Sequence, residues 1–146
     1  MKPTVEIRHI DNETDLEASF PVMQELRPHL QDSAAYVVQV MHQHTQGYRL
    51  LAAWHDGAIV GLAGYRLQDN LIYGRFVYVD DLIVSASRHG SGIGEQLLSA
   101  ARQQAVAAQC KHFVLDTGLQ NALAQRFYFR QGLLARGMHF VEPLLN

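Results

Sequence analysis

Three groups of residues in this sequence have types and spacings that could do chemistry. The first is a glycine turn, His89-Gly90-Ser91-Gly92-Ile93-Gly94, placed where an apolar helical repeat begins at Ile93, Leu97, Leu98 and Ala101. Glycines there leave backbone N–H groups uncovered by Cβ atoms at the positive end of a helix dipole, which is a cradle for phosphate. The second is the acidic pair Asp80 and Asp81, immediately before the apolar run Leu82-Ile83-Val84. In an alternating strand Asp80, Leu82 and Val84 share one face, and Asp81 and Ile83 the other. Only one of the two carboxylates is then expected to face a given cleft. The third is Asn121 and Tyr128, seven residues apart and so nearly above one another on a helix, able to look into one cleft.

Other chemistries are excluded by residue type. Glu95 stands where a dinucleotide fingerprint would need its third glycine, and no Gly-Lys-Ser/Thr end makes a P-loop, so the phosphate is expected to belong to neither NAD nor ATP. The eight histidines do not suggest a metal site. His42 and His44 are two apart in a predicted helix and share no face, and the others are scattered.

The elements that must hold these groups follow from periodicity. Val5, Ile7 and Ile10 alternate with polar residues as a first strand, and Asp11 or Asn12 can cap the helix after it. Over residues 13–30 Leu16, Phe20, Met23, Leu26 and Leu30 step by three or four, with Pro21 and Pro28 shortening or interrupting the helix. A second helix from Ser33 places Tyr36, Val37, Val40 and Met41 on one side as core, and Gly47 ends it. Residues 48–54 and 58–67 are strands joined by His55-Asp56-Gly57, a hairpin signal. After a reversal at Asp69-Asn70, residues 72–84 form the third strand of the meander. A helix over residues 92–109, a strand over 112–117, a helix over 120–131 and a closing strand over 133–141 complete the chain. The fold class is α+β, with a single mixed β-sheet: an antiparallel meander, then helical crossovers. Such a sheet must splay where the pattern changes, and ligands lodge at such switches.

Bulk properties set the frame. The 146 residues suit one domain spanning 1–146, large enough for its own core. Twelve Lys and Arg against 14 Asp and Glu, a formal charge of −2, leave no electrostatic footprint for nucleic acid or an anionic membrane. Cys110, the one cysteine, can form no intrachain disulfide. The opening residues lack the apolar core of a signal peptide, and no apolar run approaches the roughly 20 residues of a membrane span. A cytoplasmic protein is expected.

The strand end Leu82-Ile83-Val84, the glycine turn, and the pattern Asn-x-x-Ala-x-x-Phe-Tyr-x-x-x-Gly from Asn121 to Gly132 together resemble the GNAT acyl-CoA N-acyltransferases. The order and spacing of elements are similar over nearly the whole chain. The resemblance implies a GNAT-like sheet with helices on both faces and acetyl-CoA in a V between the strand ending at Val84 and the strand near Val114. The strand end Leu82-Ile83-Val84 would carry the pantetheine arm, its backbone pairing at Leu82 and Val84, while His89, Gly90, Ser91, Gly92, Ile93 and Gly94 form the pyrophosphate turn. Asn121 would contact the pantetheine end. The family usually has Arg or Gln where His89 stands, and here Arg88 precedes it. That departure bears on the turn geometry more than on the cosubstrate.

Acetyl transfer from a thioester to an amine needs a neutral amine, a stabilised oxyanion and a proton for the departing thiolate. The resemblance makes Tyr128 the acid, and a phenol of pKa about 10 is protonated at neutral pH. Asp80 is the favoured base, with Tyr78 or water as alternatives, and the N–H of Leu82 or a neighbour would take the oxyanion. No metal is expected to take part. The acceptor is a small-molecule amine or a protein lysine. Asp80 and Asp81 favour a cationic one, whereas Arg49, Arg66 and Arg75 on the meander argue the other way. The alternative function is a catalytically silent CoA-binding sensor or regulatory domain. Retention of Tyr128 and Asp80 speaks for the enzyme. A homodimer is the commonest closed assembly for such a domain.

Overall fold

The structure, a computed structural model, describes residues 4–145. The residues up to Asp116 form one compact unit and those from Thr117 a second.

The first unit is built on a five-stranded mixed sheet in the order β1-β2-β3-β4-β5. Strands β1 (Glu6–His9), β2 (Tyr48–His55), β3 (Ala58–Asn70) and β4 (Gly74–Val84) pair antiparallel in succession, and β5 (His112–Leu115) pairs parallel to β4. The predicted meander and crossover are therefore present. The β2–β3 hairpin turns through Asp56 (φ +50°) and Gly57 (φ +76°), the two positive angles that a tight primed turn requires.

Helices α1 (Glu13–Leu26) and α2 (Ser33–His44) cover one face of the sheet. Asn12 caps α1 by accepting from the Asp15 N–H, and Asp32 caps α2 by accepting from the Ala34 N–H. Pro21 sits inside α1 without ending it. Leu16, Met23, Tyr36, Val37 and Val40 pack with Tyr48, Leu50 and Leu62 of the sheet. Met41, expected in that core, is 39% exposed, on the solvent side of α2. Helix α3 (Ile93–Ala107) covers the opposite face, where Ile93, Leu97, Ala101 and Ala105 pack on Leu51, Ala63, Val77 and Val79. Full burial of Ile93 and Leu97 contributes about 1.5–3 kcal/mol each, which pins the start of α3 to the sheet.

The second unit carries α4 (Ala122–Arg130). Asn121 is its N-cap, accepting from the Ala124 N–H. Gly132 (φ +91°) closes its C-terminus: the Leu133 N–H donates to the Tyr128 carbonyl and the Gly132 N–H to that of Phe129. The closing strand expected over residues 133–141 is absent; this stretch has no regular structure. Extended backbone becomes a strand only where its N–H and C=O groups meet a partner edge, and among the described residues none pairs with it.

Candidate active site

The site begins where the sheet parts. β4 and β5 pair from Phe76 with His112 to Val79 with Leu115, where β5 ends, while β4 runs on through Asp80 to Val84 with β3 on its other side. Over residues 80–84 the second edge of β4 has no strand partner among the described residues. This is the splay expected from the change of pattern.

A β-bulge lies at that point. Gly64 pairs with Asp81 and Tyr65 with Val79, so Asp80 is an extra residue with no partner in β3. The extra residue breaks the strand alternation. Val79, Leu82 and Val84 pack on the α3 side, whereas Ile83 packs on the side of α1 and α2, and both Asp80 and Asp81 line one cavity on that second side. The expectation that Asp80 shares a face with Leu82 and Val84, and that only one aspartate can face the cleft, is corrected by this bulge.

The cavity holds about 260 Å³ between α1, α2 and β4. Asp81 is held on its floor from two sides. The Tyr48 hydroxyl donates to its Oδ2 at 2.7 Å, and Arg27 donates to its Oδ1 from Nη2 at 2.9 Å and Nε at 3.1 Å. Arg27 Nη2 also donates to the Asp80 carbonyl at 2.9 Å. The Asp80 carboxylate takes a bidentate pair from Arg66, at 2.7 and 2.8 Å, and the Arg66 guanidinium lies over the Tyr78 ring. Both carboxylates are thus already matched by arginines.

Two buried phenols complete the floor. Burial pushes Tyr48 well above its usual pKa and the Asp81 charge adds to the shift. Burial also raises Tyr36 to about 12, against the opposing hydrogen bond with Ser19. Ser19 gives its own proton to the Leu16 carbonyl, so Tyr36 is the donor to Ser19. Both tyrosines stay protonated as fixed donors. Tyr48 reaches Asp81 past Gly64, where a Cβ would stand 1.8 Å from the hydroxyl.

The glycine turn follows β4. Gly90 (φ +78°) and Gly92 (φ +87°) adopt left-handed backbone, and Gly92 caps α3 without a side-chain hydrogen bond. The N–H groups of Gly90, Ser91, Gly92, Ile93 and Gly94 donate to no acceptor among the described residues. A Cβ at Gly90 would meet open space. His89 folds back, its Nε2 donating to the Val84 carbonyl at 2.9 Å. The Ile93 side chain is wholly buried in the α3 core, so only its N–H can serve a ligand. Ile83 likewise gives its side chain to the core on the α1 and α2 side.

In the second unit Tyr128 is half-buried, with its ring edge-on to Phe127. Asn121 is exposed, its Oδ1 engaged as the α4 cap and its amide nitrogen without a described partner. Sequence reasoning missed Arg27 and Tyr48 altogether and treated Arg66 only as charge. The signal for Tyr48 was Gly64, a glycine inside a strand, which marks a close approach.

Known proteins resemble this chain in sequence and in fold. A curated relative, the uncharacterized N-acetyltransferase YhdJ of Bacillus subtilis, is 28% identical over 142 residues, covering 96% of this chain and 99% of that protein. The aminoalkylphosphonate N-acetyltransferase of Salmonella typhimurium is 27% identical over 147 residues, covering 97% and 93%. Among solved structures, the aminoglycoside N-acetyltransferase AAC(6')-Iy in complex with CoA superposes with a TM-score of 0.85 at 19% identity, covering 97% of this chain and 96% of that one. The profile of the acetyltransferase (GNAT) family matches residues 7–133, from the second residue of β1 to the residue after Gly132. The chain therefore belongs to the GNAT family of acetyltransferases and is an acyltransferase.

Proposed function

We propose that the chain is an acetyl-CoA-dependent N-acetyltransferase, a single catalytic domain, that acetylates a small-molecule primary amine by direct attack in a ternary complex. The observation that carries this reading is the edge of β4 over residues 80–84, next to the bulge and followed by an uncovered row of N–H groups. This edge has no strand partner among the described residues, although Arg27 donates to the Asp80 carbonyl and His89 to that of Val84. A thioester donor with a pantetheine arm and a pyrophosphate fits those features. An extended amide chain can hydrogen-bond to a free strand edge at Leu82 and Val84, and the N–H groups of residues 90–94 suit phosphate oxygens. Acetyl-CoA supplies the activated acyl group.

The remaining chemistry belongs to the chain. Asp80, at the bulge, accepts the amine proton through a water, since both its oxygens already bond Arg66. The N–H of Leu82 or a neighbour meets the developing oxyanion with a dipole that needs no reorganisation. Tyr128 gives its proton to the departing thiolate. Asn121 offers its free amide nitrogen to the pantetheine end. The name of the Salmonella relative supports a small-molecule acceptor over a protein lysine, as does the modest cavity. The N-acetyltransferase relatives favour the enzyme over a silent sensor. No described helix is long and apolar enough to cross a membrane, and a cytoplasmic location belongs to the same reading.

Thermal unfolding with and without acetyl-CoA, paired with thiol release on an amine panel, tests the proposal. A ligand at 100 times its dissociation constant adds about 2.7 kcal/mol of stability. A melting shift together with amine-dependent thiol release is the expected result. No shift rejects the cosubstrate, and a shift without release on any amine supports the sensor instead.

A further inference from the structure

The cavity beside the bulge holds two carboxylates and yet offers a ligand no unmatched negative charge. Asp80 is paired through both oxygens with Arg66, and Asp81 is held by Tyr48 and Arg27. Arg27 is different from the other three groups. Its Nε and Nη2 are spent on Asp81 and the Asp80 carbonyl, but its Nη1 has no acceptor among the described residues, and its side chain is 42% exposed where it lines the cavity. A guanidinium clamped along one edge presents the rest of its planar fork in a fixed direction.

From this arrangement the geometry points to Arg27 as the anion-binding residue of the acceptor site, so that the acceptor is a small primary amine carrying a carboxylate, phosphonate or phosphate group. The inference rests on the cavity being the acceptor site of the proposed transferase. Asp81 is then a positioning residue. It touches no reacting atom, and it sets the plane of Arg27 while the Tyr48 hydroxyl fixes Asp81 in turn. The same pairing disfavours a plain polycation, which would have to displace Arg27 or Arg66 to reach a carboxylate and would leave a guanidinium without its partner. An amine bearing an oxyanion leaves both ion pairs intact and adds hydrogen bonds at the free Nη1 donors. A cavity of about 260 Å³ suits such a compact molecule, being just below the usual range of small-molecule sites, roughly 300–1,000 Å³.

The test separates recognition from turnover by measuring binding. Calorimetric titration of the intact chain with n-propylamine, 3-aminopropylphosphonate, 3-aminopropionate and spermidine compares a bare amine, two oxyanions of different kind and a polycation. An anionic amine is expected to bind at least about tenfold tighter than n-propylamine, the scale of one charged hydrogen bond, and the two acids show which oxyanion fits. Arg27→Gln is expected to abolish that preference. Arg27→Lys keeps the charge but loses the fork, and is expected to retain only part of it. Equal binding of all four, tighter binding of spermidine, or a preference unchanged in Arg27→Gln overturns the inference. The wild-type series needs no variant to fold. Acetyl transfer is read separately with acetyl-CoA present: Arg27-dependent anion binding without transfer to any amine supports this site and rejects the transferase, whereas transfer confined to bare amines keeps the transferase and rejects this site.

Discussion

Gly64→Ala tests whether the floor of the active site is as tightly built as its distances say. A Cβ at Gly64 would lie 1.8 Å from the Tyr48 hydroxyl oxygen, 2.4 Å from Cζ and 2.8 Å from Cε1. The ring therefore has to move as a whole, not merely turn its hydroxyl. It has little room, because Tyr48 is 1% exposed and packs in the core beside Leu50 and Val40. Losing its hydrogen bond to ionised Asp81 costs about 1.5–3 kcal/mol. Forcing a methyl into a packed core adds about 1–3 kcal/mol. Together these give a destabilisation of about 2.5–6 kcal/mol. With an unfolding entropy of about 2.1 cal/mol/K per residue over 146 residues, the midpoint should fall by about 8–20 °C. Urea unfolding followed by far-ultraviolet circular dichroism, with a thermal scan, measures both quantities. Tyr48→Phe is the control: it keeps the ring and removes only the hydroxyl, so it should cost about 1.5–3 kcal/mol, less than Gly64→Ala. A Gly64→Ala protein within about 1 kcal/mol of wild type, or no worse than Tyr48→Phe, would show that the Tyr48 ring is free to leave Asp81.

Three further outcomes are expected. Tyr128→Phe should lower kcat strongly while the KM for acetyl-CoA stays within about twofold, since only the transition-state proton is lost; steady-state kinetics decide, and an unchanged kcat removes Tyr128 from the chemistry. Gly92→Ala puts a Cβ on left-handed backbone (φ +87°) and should cost about 1 kcal/mol in urea unfolding and raise the KM for acetyl-CoA; an unchanged KM would place the phosphates elsewhere. His9 and His44 have pKa values lowered chiefly by burial and next by the Arg49 charge, so the unfolded chain binds their protons first as pH falls through about 6.5. Stability should be full above that pH and decline below it towards their folded pKa values, and His9→Gln should flatten the decline between pH 6.5 and 5.5; a variant as acid-sensitive as wild type refutes it.

What could be read from the residues alone was local. The three-and-four spacing of Leu16, Met23, Leu97 and Ala101 sets helix faces without help from the rest of the chain, and Asp56-Gly57 sets a hairpin because few residues tolerate two positive φ angles. The glycine turn was legible for the same reason, although Ile93 within it turned out to be an anchor of the core. Pairings between distant strands were not legible. The missing strand at residues 133–141 shows why: its residues suit extended backbone, and composition says nothing about whether an edge is available to it. The four partners of the acidic floor come from Arg27, Tyr48, Gly64 and Arg66, up to 54 positions from the aspartates they serve.

The bulge at Asp80 is the feature on which site and fold depend together. Strict alternation would send one carboxylate to each face of the sheet. One extra residue opposite the Gly64–Tyr65 step turns both to the same cavity and returns Leu82 and Val84 to the α3 side. It also falls one residue past the last β4–β5 pair, Val79 with Leu115, so the strand bends where its partner ends. Gly64 beside the bulge is what admits the Tyr48 hydroxyl, Tyr48 holds Asp81, and Asp81 holds Arg27. Removing the bulge residue would therefore do more than delete a candidate base. It would make Asp81 follow Val79 in regular register, with Asp81 still on the cavity side and Leu82 and Val84 still on the α3 side, but it would leave Arg66 without its carboxylate and straighten β4 at the point where β5 ends.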